Sequence, residues 1–465
     1  MTTSNAKKHL FFIEIVGHAM RGLALAAKNQ GHHVTGLDEN ATPGAGADWV
    51  TAQGIEWTRT PDPMLLDNVD LVIISGATPR GYPMLEEARR RNIPVTSFAQ
   101  YLGEVTQGRH VITVAGTHGK TTTTSLITWL MESGGHQPDY LIGIRPFNFD
   151  SSARLDGSKI FVVEGDEYRG SHLDTKSKVQ YYHPDVVVLT SVEHDHPDAF
   201  PTLADVITRF KEIVSAIPAA GRLVAWAEAE NVMEVAKEAN CEVVTYGLEK
   251  GDYQPADIRF TPDGLEFEVV HKGQRLGRLA VGLYGHHNVL NALAAVAVAL
   301  GEGLSMEQVT AGAASFRGAF RRFQILTPKN SAITVADDYA HHSTEVRVTL
   351  EAAKLHFAGR RIVAVFRPHT YSRIKALLPE YQEAFGAADV VYITDIEAAR
   401  EAGANTDVRA QDIIKNLKVP AHFIADREKL ADRIESDAKP GDVIVCMTVS
   451  GYQNLANELA ENLGK

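Results

Sequence analysis

His110-Val111-Ile112-Thr113-Val114-Ala115-Gly116-Thr117-His118-Gly119-Lys120-Thr121-Thr122-Thr123-Thr124 decides how this chain is read. The first five residues, His110 to Val114, form an apolar run of buried-strand type, and the residues from Thr121 to Glu132 predict a helix. The glycine turn between them exposes backbone N–H groups at a helix N-terminus, where phosphate oxygens are held. Gly116, Thr117, His118, Gly119, Lys120, Thr121 and Thr122 are therefore candidate contacts for ATP. Lys120 would reach the terminal phosphates and the Thr121 hydroxyl would ligate Mg²⁺. The spacing Gly-x-x-x-x-Gly-Lys-Ser/Thr is not met, because Val114 stands where the leading glycine belongs. The loop here is shorter, with Gly116 leading.

Downstream, Lys159 to Val163 predicts a strand with Glu164 just past its end. Carboxyl ends of parallel strands line the ligand crevice, so Glu164 could complete a Mg²⁺ shell with Thr121. The strand Val186 to Thr190 runs into Ser191-Val192-Glu193-His194-Asp195-His196-Pro197-Asp198, rich in metal-capable groups, among them His196. Taken alone, that cluster also reads as a solvated turn rich in capping residues. Further on, Ile258 to Val270 and Leu276 to Leu283 predict antiparallel strands. Helices are predicted around Leu203 to Ile217 and Val289 to Leu300.

Upstream, Leu10 to Ile13, Val34 to Leu37 and Leu71 to Ile74 predict parallel strands, with a helix from Ala19 to Asn29. Asp38 ends the second of these strands. Past Phe323 to Asn330, strands at Ala332 to Ala336, Arg361 to Phe366, Val390 to Ile393 and Val443 to Cys446 alternate with helices such as Ser343 to Leu355. The prediction is an α/β chain of three domains: a Rossmann-like domain over 1–107, a central P-loop ATPase domain over 108–326, and a C-terminal Rossmann-like domain over 327–465.

A net charge of −12 argues against a nucleic-acid partner, which demands basic surface. Two distant cysteines, Cys241 and Cys446, exclude a disulfide framework. The apolar run Val289 to Leu300 is too short for a bilayer, and Met1 to His9 lacks the apolar core of a signal peptide. A cytoplasmic location without membrane insertion is expected. No heptad or apolar stripe speaks to oligomeric state.

Gly116 to Thr123 resembles the short phosphate loop of the Mur ligase family, the ATP-dependent amide-forming enzymes of peptidoglycan precursor synthesis. Other motifs resemble that family in the same order. His286-His287-Asn288-Val289-Leu290-Asn291 is similar to its adenine segment, which implies nucleotide contacts for His287, Asn288 and Asn291. Phe320-Arg321-Arg322-Phe323 resembles its interdomain arginine motif, with Arg322 meeting the terminal phosphate. Asp337-Asp338-Tyr339-Ala340-His341-His342 resembles the motif that brings an aspartate, Asp338, to the nucleotide and His341 near the incoming amine. Without the family, Asp338 and Asn288 read as turn and cap residues. The resemblance implies that ATP converts a carboxylate to an acyl phosphate, which the amine attacks. Lys120, Glu164, His196, Arg322, His341 and Arg373 would be the catalytic set, with Thr121, Glu164 and His196 on Mg²⁺.

Two branches of the family are resembled. Phe366-Arg367-Pro368-His369-Thr370-Tyr371-Ser372-Arg373 is similar to the branch that joins L-alanine to UDP-N-acetylmuramate, where His369 and Arg373 would hold the amino acid. Thr370 replaces an arginine usual there. Glu164-Gly165-Asp166-Glu167-Tyr168 and Asp174-Thr175-Lys176-Ser177-Lys178 resemble the recycling branch, which attaches L-Ala-γ-D-Glu-meso-diaminopimelate to the same sugar nucleotide. At the N-terminus the family's glycine-rich diphosphate turn is altered: Glu14 replaces its first glycine, while Gly17, His18, Arg21 and Gly22 remain as substrate contacts. Asp38 either binds the uridine side or caps the next loop. Some relatives use a carbamylated lysine; Lys211 is the candidate here, beside its reading as a solvated helix residue. A scaffold that has kept the fold without turnover is the reading outside enzymes.

Overall fold

The computed structural model describes residues 7–41, 44–261, 263–401, 407–449, 452 and 454–464. The chain forms two compact units, one of Met1–Val192, Ile207–Tyr246 and Ala294–Gln308, the other of Glu193–Val206, Gly247–Leu293 and Val309–Lys465.

The first unit holds two sheets. The N-terminal sheet is parallel, in the order Glu56–Thr58, His33–Leu37, His9–Ile13, Leu71–Ile74, Val95–Ser97. In the second, Glu242–Tyr246, Arg222–Trp226, Val186–Leu189, His110–Ala115, Ile160–Gly165 and Asp139–Leu141 lie side by side and parallel, with Ala153–Arg154 antiparallel at the edge. Val186-Val187-Val188-Leu189 is buried at every position, as a central parallel strand covered on both faces requires. The two sheets share apolar packing: Leu10, Phe12, Phe98 and Leu102 cluster with Val111, Phe161 and Val163. Close approach is made possible at Gly103, where a Cβ would lie 2.1 Å from the Tyr181 carbonyl oxygen. The phosphate-loop helix runs Lys120–Ser133, one residue beyond the expected span at each end.

The second unit opens with antiparallel strands Tyr253–Thr261, Gly264–His271 and Gln274–Val281. The single strand expected from Ile258 to Val270 is thus corrected to a hairpin. Gly264 takes φ +142°, and a Cβ there would lie 2.2 Å from the Val281 carbonyl oxygen, so turn chemistry overrides the alternation that suggested one strand. A six-stranded sheet follows, in the order Gln324–Ile325, Thr334–Asp338, Val443–Met447, Ile362–Phe366, Val390–Ile393, Ala421–Phe423, parallel except at its first pair. Successive residues feed opposite faces: Ala336 and Phe366 pack with Val346 and Leu350, whereas Val335 and Val365 pack with Ile444 and Leu459. Both cysteines are free. Among the described residues no helix is long and apolar enough to cross a membrane.

Candidate functional site

The glycine loop is held by the end of the neighbouring strand. Thr117 N–H donates to Ser191 O at 3.0 Å and His118 N–H to Ser191 Oγ at 2.9 Å, while Thr190 Oγ1 donates to the Ala115 and His118 carbonyls. Gly116 sits at φ +132°, and a Cβ there would stand 2.2 Å from Thr190 Oγ1. No side chain fits, which accounts for a glycine at this place in a loop that breaks the usual spacing. Lys120 Nζ folds over the loop, donating to Gly116 O at 2.6 Å and Thr117 O at 3.2 Å. At the helix start, Thr121 Oγ1 donates to Glu164 Oε1 at 2.8 Å, and Gly143 N–H donates to Glu164 Oε2 at 2.8 Å. A hydroxyl and a carboxylate so placed form a hard oxygen donor set that fits Mg²⁺.

Two acidic residues of the same segment escaped the sequence reading. Buried Glu167 lies 3.6 Å from Lys120 Nζ, and Asp166 pairs with Lys178 at 2.7 Å. Burial by itself would raise the Asp166 carboxyl, but the Lys178 and Lys120 ammonium groups outweigh it and hold it down to about 2. The signal was the run of carboxylates from Glu164 to Glu167, of which only the first was assigned.

In the N-terminal turn, Gly22 is a packing residue: a Cβ would fall 2.5 Å from Ala153 Cβ, where the helix His18–Asn29 crosses the edge strand. Gly17 caps that helix at φ −53°, a conformation open to any residue. Arg21 lies over the Trp49 ring at 5.5 Å. The His18 side chain lies outside the described residues. Asp38 Oδ2 accepts the Val16 N–H of the preceding turn at 3.0 Å. Lys211 pairs with Glu234 at 2.6 Å, which raises its pKa and keeps it an ammonium, as its solvated reading has it.

In the second unit a buried ion pair organises several of the remaining candidates. Arg373 Nε donates to Asp195 Oδ1 at 2.7 Å, with side chains only 2% and 8% exposed. Burial opposes charge on Asp195, yet the Arg373 guanidinium outweighs it and holds the carboxyl well below the usual range. His196 N–H donates to the same oxygen at 2.7 Å, with its ring 3.7 Å from Oδ2. Arg373 Nη1 donates to His369 Nδ1 at 2.8 Å, and the rings of His369 and His341 meet edge-on at 5.7 Å. Burial pushes the His341 imidazole down to about 3, so it is neutral; its Nδ1 donates to Tyr339 O at 3.0 Å. His342 caps the following helix: its Nδ1 accepts from Thr344 N–H at 3.2 Å while Nε2 donates to His194 O. Glu345 completes the cap by accepting the His341 and His342 N–H groups.

Asp338 is turned into the backbone, accepting Phe323 N–H and Ala340 N–H, each at 2.7 Å, and burial raises it to about 6. Arg321 is spent on Asp337 and the Val449 carbonyl, while Arg322 lies over the Tyr339 ring at 5.4 Å. Buried Asn288 donates to Tyr284 O at 2.7 Å and accepts from Asn291 at 2.8 Å. Burial drives the neighbouring His287 down to about 4, leaving its Nε2 as an acceptor for Asn288 Nδ2. Asp195 and Glu345 carried no assigned role in the sequence reading, because their partners lie elsewhere in the fold.

Comparison with known proteins accords with this geometry. Residues 9–110 match the model of the Mur ligase family catalytic domain, 114–299 that of the Mur ligase middle domain, and 321–448 that of the Mur ligase glutamate ligase domain. A UDP-N-acetylmuramate–L-alanine ligase of Desulfitobacterium hafniense is 35% identical, over 97% of this chain and 99% of the relative. The UDP-N-acetylmuramate–L-alanyl-γ-D-glutamyl-meso-2,6-diaminoheptandioate ligase of Escherichia coli is 34% identical, over 98% of each chain. Among solved structures, a UDP-N-acetylmuramate–alanine ligase of Thermotoga maritima shares the fold with a TM-score of 0.79 at 24% identity, over 98% of each chain. A murein peptide ligase of Psychrobacter arcticus gives 0.72 at 28% identity, over 98% of this chain and 99% of its own. With family models spanning most of its length and full-length relatives above 30% identity, this chain belongs to the Mur ligase family.

Proposed function

We propose that the chain is an ATP-dependent, ADP-forming ligase that joins the carboxylate of UDP-N-acetylmuramate to L-alanine through an acyl phosphate. The observation that carries this is the phosphate loop, with Gly116 pressed on Thr190, Lys120 folded over it and Thr121 bonded to Glu164. L-Alanine is favoured by the relatives of that name and by the buried Arg373 beside His369.

A carboxylate is a poor electrophile, and transfer of the terminal phosphoryl group of ATP makes it a good one. Charge builds on phosphoryl oxygens during transfer and on the carbonyl oxygen during attack by the amine. Lys120, released from Gly116 and Thr117, would neutralise the terminal phosphates. Thr121 and Glu164 would hold Mg²⁺, which spreads that charge, and His196 is assigned to a second ion. Arg322 and Asp338 are assigned to the nucleotide, with His287, Asn288 and Asn291 at the adenine. His341, neutral at physiological pH, is assigned to the neighbourhood of the incoming amine. His369 and Arg373 are assigned to the amino acid. The domain reading 1–107, 108–326 and 327–465 is supported by the family models over 9–110, 114–299 and 321–448.

A second acceptor, the tripeptide L-Ala-γ-D-Glu-meso-diaminopimelate, is kept because the E. coli relative is 34% identical. The test offers purified protein with Mg-ATP and UDP-N-acetylmuramate either L-alanine or the tripeptide, and measures phosphate release. Release with L-alanine is expected, and release with the tripeptide alone would move the assignment to the second acceptor. Tight ATP binding without release in either case would overturn both.

A further inference from the structure

In the N-terminal sheet the direction of winding reverses between His9–Ile13 and Leu71–Ile74. Open parallel sheets take their ligands at such a point, outside the carboxyl ends of the two strands. Here a side chain bridges those ends. Glu14 directly follows the first strand, and its Oε2 accepts hydrogen bonds from Ser75 Oγ, the residue after Ile74, and from Thr78 Oγ1 at 3.3 Å. The turn imposes this position: Glu14 lies at φ +64°, and its N–H donates to Leu37 O at 2.6 Å. A left-handed conformation is costly for any residue but glycine, Asn or Asp, so a glutamate there needs compensation, which the two hydroxyls provide.

We propose that Glu14 is the specificity-determining residue of this crevice, and that a nucleoside diphosphate binds there only as Glu14 takes up a proton. The inference rests on the reading of the N-terminal domain as the sugar-nucleotide site. Asp38, at the end of the next strand, already places a second carboxylate in the turn. A diphosphate brought against both would meet like charge, and one proton from solvent onto Glu14 turns an acceptor into a donor. Burial pushes the Glu14 carboxyl up from its ordinary value, Ser75 and Thr78 pull it down, and Asp38 adds to the rise. Around it, Tyr82 donates to Glu39 and is raised by burial, so it stays neutral, and Arg21 is engaged with Trp49. Affinity for the sugar nucleotide then falls as pH rises above the Glu14 pKa, by up to about tenfold per pH unit.

The test is calorimetric titration of the full chain with UDP-N-acetylmuramate, in buffers of differing ionisation enthalpy and over a range of pH. Wild type is expected to take up protons on binding. Glu14→Gln keeps an acceptor for Ser75 and Thr78, and it should bind without uptake and about tenfold or more tightly than wild type at alkaline pH. Glu14→Gly, which also relieves the backbone, should behave likewise. Wild-type binding without proton uptake, or uptake retained in both variants, overturns the proposal. If none of the three binds UDP-N-acetylmuramate while each still binds Mg-ATP, the sugar-nucleotide reading itself falls, and this inference with it.

Discussion

Lys120 shows what one residue does and what its removal should cost. Its ammonium bridges the Gly116 and Thr117 carbonyls and lies near Glu167, and its proposed role is to meet the terminal phosphates from there. Lys120→Ala should lower turnover by about 10²–10³-fold or more, the scale for losing one preorganised charge partner, with the fold intact by circular dichroism. Retained activity would refute the loop's role. Asp195 makes a different point, since its worth is structural as well. Removing one partner of a buried pair strands the other, so Arg373→Met should cost about 3–5 kcal/mol of unfolding free energy. Because the Asp195 carboxyl is held low, the pair's contribution is complete above the ordinary carboxylate range and is lost as pH falls below it. The variant's deficit should therefore be constant around neutral pH and shrink in acid; a deficit that instead shrinks toward alkaline pH would contradict the pairing. The pairing is not legible in the sequence, where 178 positions separate its members: Arg373 reads there as a contact to the amino acid and Asp195 as one of a metal-capable cluster.

At the scale of elements, strand–turn–helix units were the most legible part of the chain. Apolar runs ending in glycine declare themselves locally, which is why His110–Ala115 and the helix after it were found to within a residue. Two glycines that look alike in sequence separate in the structure. Gly116→Ala should destabilise by about 1–3 kcal/mol from its left-handed φ alone and also weaken ATP binding, since the added Cβ collides with Thr190. Gly22→Ala should destabilise by a similar, roughly 1–3 kcal/mol, overpacking cost while leaving the KM for ATP unmoved, because its collision is with Ala153. Thermal unfolding and ATP titration of both variants distinguish them, and equal losses of ATP affinity would contradict the assignment. The hairpin at Thr261 to Gly264 was misread because both arms continue one alternating pattern, and only the turn residues interrupt it.

At the scale of the molecule, the sequence carried the α/β class, the sheets and the family, because each rests on contiguous motifs. It did not carry the packing of the first two sheets into one unit. Gln107-Gly108-Arg109 is polar and reads as a boundary, whereas the residues that join the sheets, such as Phe98, Val111 and Phe161, are scattered along the chain. Ligand binding to the folded state should be visible in the whole protein's stability. Mg-ATP at about 100 times its dissociation constant should add roughly 2.7 kcal/mol, read as a rise in melting temperature that Lys120→Ala loses. In the proposed mechanism the terminal phosphoryl group of ATP passes to the substrate carboxylate, and the route of a carboxylate oxygen reveals it. UDP-N-acetylmuramate labelled with heavy oxygen in its carboxylate is turned over with Mg-ATP and L-alanine, and the released phosphate is analysed by mass spectrometry. Heavy oxygen in that phosphate is the predicted result; phosphate formed in step with amide but free of label would contradict the account.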